Sequence, residues 1–248
     1  MEMVTVNEKK IEAKFNETAI CLVINEPFAL FASVTLQSII EFSSDKETYD
    51  IFICTDKDLS IVTADLLKKQ FAGKVNFSIR FITLSDFFDN QEWNNKSLVY
   101  PPIVFGRLFL PFILDNYERI IYLDSDIILN TDISAIYTVD LGENCIGAVN
   151  DLVMLAWLRD KNNFAYNELI NKVKILDTSN YVNSGFLIFN VQKYIDFITP
   201  EKILSFEKNH YLKWPDQDLI NIVFHDKIFF LGQDFNVLVA LRDDKTSV

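Results

Sequence analysis

Arg119-Ile120-Ile121-Tyr122-Leu123-Asp124-Ser125-Asp126 is the stretch on which the reading of the whole chain turns. Branched and aromatic residues run up to a pair of carboxylates one residue apart. The apolar run has the length and β-branching of a buried strand. In open α/β sheets, ligands gather beyond the carboxyl ends of the strands. Acids placed there need water, hydrogen bonds or a metal, because an unpaired buried charge is very costly. Oxygen-only ligation suits a hard divalent ion such as Mg²⁺ or Mn²⁺. Taken alone, the pair is balanced between a metal site for a phosphorylated ligand and an ordinary strand-end turn, which Asp also favours.

Working outward, the chain reads as alternating strands and helices. Upstream, Ala19–Ile24 is a buried strand broken by Asn25-Glu26-Pro27, and Phe28–Phe42 has helical spacing. Tyr49–Cys54 is a second strand. Ser60–Phe71 is a helix with Ser60 as N-cap, and Val75–Phe81 is a third strand. This βαβαβ opening predicts a mixed, mostly parallel central sheet flanked by helices, an α/β fold of Rossmann-like type. Leu84–Pro102 is aromatic, polar and irregular, and reads as a long loop. Ile103–Leu114 reads as an apolar helix carrying a single Arg107.

Downstream, Thr131 or Asp132 caps a short helix through Tyr137. Ile146–Asn150 is a strand ending at Asp151, and residues 152–178 read as loop-like. Tyr181–Phe189 is a strand interrupted at Asn183-Ser184-Gly185. Pro200–Asn209 and Asp216–Phe224 read as helices, and Ile228–Leu231 as a last short strand. Residues 1–18 read as a polar leader, either a short amphipathic helix (Val6, Ile11, Phe15) or without regular structure. The remaining residues, 19–248, form one domain.

Composition narrows the function. The chain has 248 residues, is 50% hydrophobic and carries a net charge of −12. That is enough apolar sequence for a substantial core, and such a charge disfavours nucleic acid and anionic lipid as partners. The three cysteines lie in apolar strand-like runs without a CxxC, as buried thiols do in a reducing compartment. With His210 and His225 as its only imidazoles, the chain is a poor zinc binder. No apolar run approaches a membrane span, and Met1–Thr18 has no signal-peptide core. The expected compartment is the cytoplasm. There are six glycines, with neither a GxGxxG after the first strand nor a GxxxxGK[ST]. If phosphates bind, a cation and side chains must replace the glycine-rich backbone cradle.

Five blocks, in order, resemble the family 8 glycosyltransferases, enzymes of GT-A fold that use nucleotide sugars. They are Asn25-Glu26-Pro27-Phe28-Ala29 (the first nucleotide loop), Arg107-Leu108-Phe109-Leu110-Pro111 (the Arg helix), Tyr122-Leu123-Asp124-Ser125-Asp126 (the DxD motif), Tyr181–Asn190 (the NSG strand) and Asp216-Gln217-Asp218-Leu219-Ile220-Asn221 (the DQD helix). A DxD alone is weak evidence. Three distinctive blocks at compatible spacing are strong evidence.

The resemblance implies roles. Asp124 and Asp126 hold Mn²⁺ or Mg²⁺ on the diphosphate of a UDP-sugar. Ser125 belongs to the same nucleotide-binding segment, and Asp124 also contacts the ribose. Arg107 pairs with the diphosphate or orients the Asp124 region, its bland alternative being a salt bridge to a loop acid. Asn183 contacts the donor sugar, Gly185 lets backbone approach closely, and Asp151 faces the sugar or merely turns the chain. Asp216 binds sugar hydroxyls, with helix capping as its alternative. Gln217 sits near the anomeric carbon, and relatives retain the anomeric configuration. An amide is a poor covalent nucleophile beside a carboxylate, which favours same-face attack.

The implied reaction moves a hexose, galactose or glucose, from UDP-sugar to a saccharide or glycolipid acceptor in lipopolysaccharide or capsule synthesis. Two departures stand out. Asn25 and Phe28 replace the Asp and Tyr that read and stack on uracil in relatives; Phe28 can still stack, and the Asn25 amide both donates and accepts. The HxxGxxKPW-like segment that carries the family's third metal ligand has no counterpart before Val248. The chain is therefore expected to hold an incomplete metal site, with any peripheral membrane contact made through segments outside it. A non-catalytic nucleotide-sugar-binding module is the alternative. A haloacid-dehalogenase-like phosphatase is disfavoured, because its DxD stands near the N-terminus and is followed by Gly-Thr or Thr, whereas Ile127-Ile128 follow here.

Overall fold

In a computed structural model the described residues are 3–5, 11–15, 17–85, 93, 100–175 and 177–238. They build one mixed sheet of eight strands: β1 (Met3–Thr5), β2 (Thr18–Ile24), β3 (Tyr49–Thr55), β4 (Phe77–Thr83), β5 (Arg119–Leu123), β6 (Ile146–Asn150), β7 (Val182–Asn190) and β8 (Ile228–Leu231). The spatial order is β1-β4-β3-β2-β5-β7-β6-β8. All neighbours pair in parallel except β7, which runs antiparallel to both β5 and β6. The sheet is thus mixed and mostly parallel, as the alternating pattern predicts.

Period-two alternation builds the core on both faces. Cys21, Phe52, Ile120 and Tyr122 belong to one apolar layer; Ile20, Leu22, Ile51, Ile53, Ile121 and Leu123 belong to the other. The first layer is completed by the helices α3 (Gly106–Ile113), α6 (Val191–Phe197), α7 (Pro200–Asn209) and α8 (Pro215–Val223). The second is completed by α1 (Ala29–Phe42) and α2 (Ile61–Lys69). All three thiols are free and buried.

Local signals act as the sequence suggests at two caps. Ser60 Oγ accepts from Thr63 N at the start of α2, and Asp132 caps the 3₁₀ turn Ile133–Ile136 by accepting from Ser134 N. Three segments differ from the sequence reading. Residues 152–175 are not a loop: α4 (Leu152–Arg159) and α5 (Phe164–Tyr166, continued by the π-helical turn Asn167–Val173) pack a small cluster of Met154, Leu158, Ala165, Leu169, Val173, Ile175 and Tyr181. These helices are short. Asp151 and Asn163 side chains satisfy their first N–H groups, and packing supplies what length does not. The Asn183-Ser184-Gly185 segment does not interrupt β7. The irregularity in pairing with β6 nevertheless falls at that segment: between Ala148↔Leu187 and Asn150↔Val182, β6 advances two residues and β7 five, so the extra residues lie in β7.

At the amino end, residues 11–15 form no helix, and Val6 lies outside the described residues, as do residues 86–92 and 94–99 of the expected long loop. Ile11 is buried, and Lys14 N donates to Asp50 Oδ2 at 3.0 Å. The fully buried Asp50 is also paired with Arg80 and hydrogen-bonded by Tyr117 Oη, and Arg80 Nη1 reaches Glu12 O at 2.8 Å. One ion pair therefore fastens this segment to β3 and β4. Arg80→Met would strand a buried carboxylate and is expected to cost about 3–5 kcal/mol in urea unfolding. The double variant with Asp50→Asn should recover part of that loss.

Candidate active site

The acids of the opening stretch emerge at the carboxyl end of β5, where the chain order reverses across the sheet. Because β7 is antiparallel to β5 and β6, its first residues lie beside the ends of both strands. Asp124, Asp151 and Asn183–Gly185 therefore meet at one sheet edge. Asp124 N donates to Gly185 O at 2.7 Å, which continues the ladder one step beyond β5. A Cβ at Gly185 would lie 2.7 Å from Asp124 Oδ2 and 2.9 Å from Asn183 Oδ1. Only glycine allows the carboxylate to rest there.

Beneath Asp124 lies Arg107, brought up by α3 and buried. Its Nη1 stands 3.1 Å from Asp124 Oδ1 and donates to Ser184 O at 2.8 Å. Its Nε lies 3.2 Å from Asp216 Oδ2, with the N–H directed to Val104 O. The guanidinium also stacks over the Tyr122 ring, 4.5 Å from its centroid. Burial works against the Arg107 charge, but Asp124 and then Asp216 outweigh it and hold the guanidinium above its ordinary range. Tyr122 Oη donates to Asp124 Oδ1 at 2.6 Å, and burial pushes the phenol well above its usual range. Asp216 Oδ2 is buried with no hydrogen-bond partner.

Two residues on, Asp126 is exposed, and the Ser125 carbonyl is fixed by Thr35 Oγ1 at 2.7 Å. Partial desolvation of the Asp126 carboxyl, and then the Asp124 charge, raise its proton affinity. The two carboxylates form an oxygen-only donor set of the kind hard divalent ions prefer. Among the described residues no group of three His, Cys, Asp or Glu is placed to hold a metal.

A second cluster centres on Asp151, which is buried. Its Oδ1 accepts from Met154 N at 2.8 Å, capping α4; its Oδ2 accepts from both Asn183 Nδ2 and Gln217 Nε2, each at 3.2 Å. Asp151 is thus both a helix cap and the hub of the amide pair. Gln217 Oε1 accepts from Ser184 N at 3.1 Å, and Asn183 Oδ1 accepts from Gly185 N at 2.8 Å. These bonds set which end of each amide faces outward.

Capping at the start of α8 falls to Asp218, not Asp216. Asp218 accepts from Lys213 N at 2.6 Å, Trp214 N at 2.9 Å and Tyr181 Oη at 2.6 Å, and is wholly buried. Burial pushes its carboxyl up to about 7. The sequence reading did not single out Asn236, whose Nδ2 donates to Asn183 Oδ1 at 2.9 Å. It follows the last strand by five residues and carries no motif of its own.

The remaining candidates stand at the end of β2. Phe28 is half exposed, with its ring 5.9 Å from that of Phe31. Asn25 Oδ1 is buried without a partner. The ring offers a stacking face, and the amide oxygen is left for a donor that the described residues do not supply.

A mixed sheet with carboxylates gathered at its switch point is the arrangement of the GT-A fold. The family model described as "Glycosyl transferase family 8" matches residues 19–248, and the chain belongs to that family. It is 26% identical over 149 residues to a lipopolysaccharide 1,2-glucosyltransferase of Escherichia coli K12, a match covering 59% of this chain and 41% of that one. The solved structures agree on the fold. A bifunctional glycosyltransferase named WbbM superposes with TM-score 0.77 at 22% identity, over 90% of this chain and 40% of that one. The galactosyltransferase LgtC, solved with donor and acceptor sugar analogues, gives 0.67 at 18% identity, over 87% and 73%. The chain spans about half or less of the length of the first curated relatives it matches, 40% to 50%.

Gly185→Ala should displace the Asp124 carboxylate. About 1–3 kcal/mol of stability is expected to be lost to overpacking, with weakened Mn²⁺ binding by titration calorimetry. For Asp218 the raised folded-state affinity means the folded state binds the proton more tightly than the unfolded chain. Its stabilising contribution is complete below the ordinary carboxyl value of 3.8 and disappears as pH rises through about 7. The unfolding free energy should therefore fall across that window in the parent protein. The same curve for Asp218→Asn should be flatter.

Proposed function

We propose that this chain is the donor-binding and catalytic part of a metal-dependent retaining glycosyltransferase. It moves a hexose, galactose or glucose, from a UDP-sugar to a saccharide or glycolipid acceptor in cell-surface polysaccharide assembly. The observation that carries the reading is the convergence of Asp124, Asp151, Asn183, Asp216 and Gln217 on one sheet edge, tied together by Arg107 and Ser184.

Asp124 and Asp126 would hold Mn²⁺ or Mg²⁺, which when bound neutralises the charge on the departing diphosphate. Arg107 keeps Asp124 in place from below; its contacts to Asp124, Asp216 and the Ser184 carbonyl occupy the guanidinium, which favours orientation over direct diphosphate binding. Asp216, its Oδ2 paired with Arg107, would offer its carboxylate as an acceptor for a sugar hydroxyl. Asn183 and Gln217 present amides whose rotation is locked by Asp151 and by backbone N–H groups. Gln217 Oε1 already accepts the Ser184 N–H, and amide oxygen is a weak nucleophile. Both facts favour attack of the acceptor on the face the diphosphate leaves over a covalent glycosyl intermediate. Phe28 stacks on the base, and the free Asn25 oxygen accepts one of its N–H groups.

The second reading, a nucleotide-sugar-binding module without turnover, is favoured by Asn25 and Phe28, which stand where relatives carry Asp and Tyr. One experiment separates the two. The protein is incubated with Mn²⁺ and a panel of UDP-sugars while melting temperature and released UDP are followed. A UDP-hexose is expected to raise the melting temperature and to be turned over, both lost with EDTA. Asp126→Asn should lower turnover roughly 100-fold, because metal stabilisation of the leaving group contributes several kcal/mol. Stabilisation without turnover would select the binding module, and no response to any nucleotide sugar would defeat both readings.

A further inference from the structure

The segment Asn25–Phe28, which carries the base-facing residues of the proposed site, is a single 3₁₀ turn (Glu26–Phe28) leading into α1. Phe28 N donates to Asn25 O at 3.0 Å and Ala29 N to Glu26 O, while Pro27 has no N–H to contribute. What ties it down sideways is the Glu26 side chain. Glu26 Oε2 accepts from Ser60 N at 2.9 Å, and Oε1 accepts from Ser60 Oγ at 2.9 Å and from Thr63 Oγ1.

These three donors form the first turn of α2, more than thirty residues further along the chain. A helix starting with Ser at its N-cap often places Glu three residues on, so that the carboxylate reaches back to the N-cap N–H. Here that position is Thr63, which hydrogen-bonds Ser60 Oγ at 2.8 Å and cannot serve the N–H as a carboxylate would. The carboxylate comes from Glu26 instead. The capping of α2 and the position of the loop are therefore one hydrogen-bonded unit. Donation by Thr63 and then by Ser60 holds the carboxyl below its usual range.

We propose that Glu26 is a positioning residue for nucleobase recognition: by capping α2 from the loop, it fixes where Asn25 and Phe28 meet the base. Both of its oxygens are engaged with α2, so it does not itself bind the nucleotide. The proposal rests on the reading of the Asn25–Phe28 loop as the base site. It places the effect of Glu26 at the base and none at the diphosphate, which would be held by Asp124 and Asp126 after the neighbouring strand β5.

The test compares UDP with inorganic pyrophosphate, each in the presence of Mn²⁺, by calorimetry on the full chain. Glu26→Ala is expected to weaken UDP binding about tenfold and to leave pyrophosphate binding within twofold. In turnover assays the same variant should raise KM for the UDP-sugar with kcat nearly unchanged. Glu26→Gln, which keeps an acceptor for the hydroxyls, should recover part of the affinity. In the double variant Glu26→Ala/Thr63→Ala the two losses should not add, because both break the same clamp. Unchanged UDP affinity in Glu26→Ala overturns the proposal, as does an equal loss for UDP and pyrophosphate, which would mean general loosening of the site. If the parent protein binds pyrophosphate but gains nothing from the uridine, the base site itself is misplaced and the proposal falls with it.

Discussion

A single buried cation, Arg107, organises the polar edge of this protein. Two carboxylates from separate elements, Asp124 after β5 and Asp216 at the start of α8, share its guanidinium, and a β7 carbonyl takes one of its N–H groups. Without it, two negative charges would face each other at a part-buried edge, a costly arrangement. With it, Asp124 is compensated through Oδ1, and its second oxygen rests beside Gly185. The charge balance is local: the chain as a whole is strongly acidic. A cationic ligand at Asp124 and Asp126 would offset the negative field that Arg107 alone does not cancel.

The neutral half of the site is governed by hydrogen-bond direction instead of charge. Asp151 accepts two side-chain amides on one oxygen and a helix N–H on the other. A carboxylate can only accept, so both amides must turn their nitrogens toward it. Backbone N–H groups of Ser184 and Gly185 then take the amide oxygens. The result is a pair of amides whose remaining hydrogen-bonding capacity is presented in a fixed sense. Asn236 adds a further donor to Asn183 from beyond the last strand. Direction also decides Asp218, a buried acid that accepts from the backbone at the start of α8 and from Tyr181, whereas Asp216 is paired with Arg107.

Much of this was readable from local sequence because the physics is local. Strand identity follows from continuous apolar, β-branched runs whose successive side chains feed two layers, and Ser60 and Asp132 act as N-caps because their oxygens reach backbone N–H groups two or three residues away. Helices α4 and α5 were not legible. They are too short for a clear period, and their stability comes from a small cluster closed by Tyr181 on another element. The chain through Asn183-Ser184-Gly185 looked like a break because Asn and Gly favour turns. In the folded protein the strand runs on through this segment, and the break survives as extra β7 residues in its pairing with β6.

The sequence alone established the alternating α/β order, the mostly parallel sheet and the family, because these depend on residue type and spacing along the chain. Tertiary structure decided which acid does what. Asp124, Asp151, Asp216 and Asp218 are the same chemical group at strand ends or helix starts, and nothing in their immediate neighbours separates them. Arg107, Gly185, Tyr181 and the amides of Asn183 and Gln217 make the distinction, and they arrive from distant positions once β7 runs antiparallel between β5 and β6. An acid's role is set by the donors and charges it meets in space, and those are contacts that spacing along a chain does not encode.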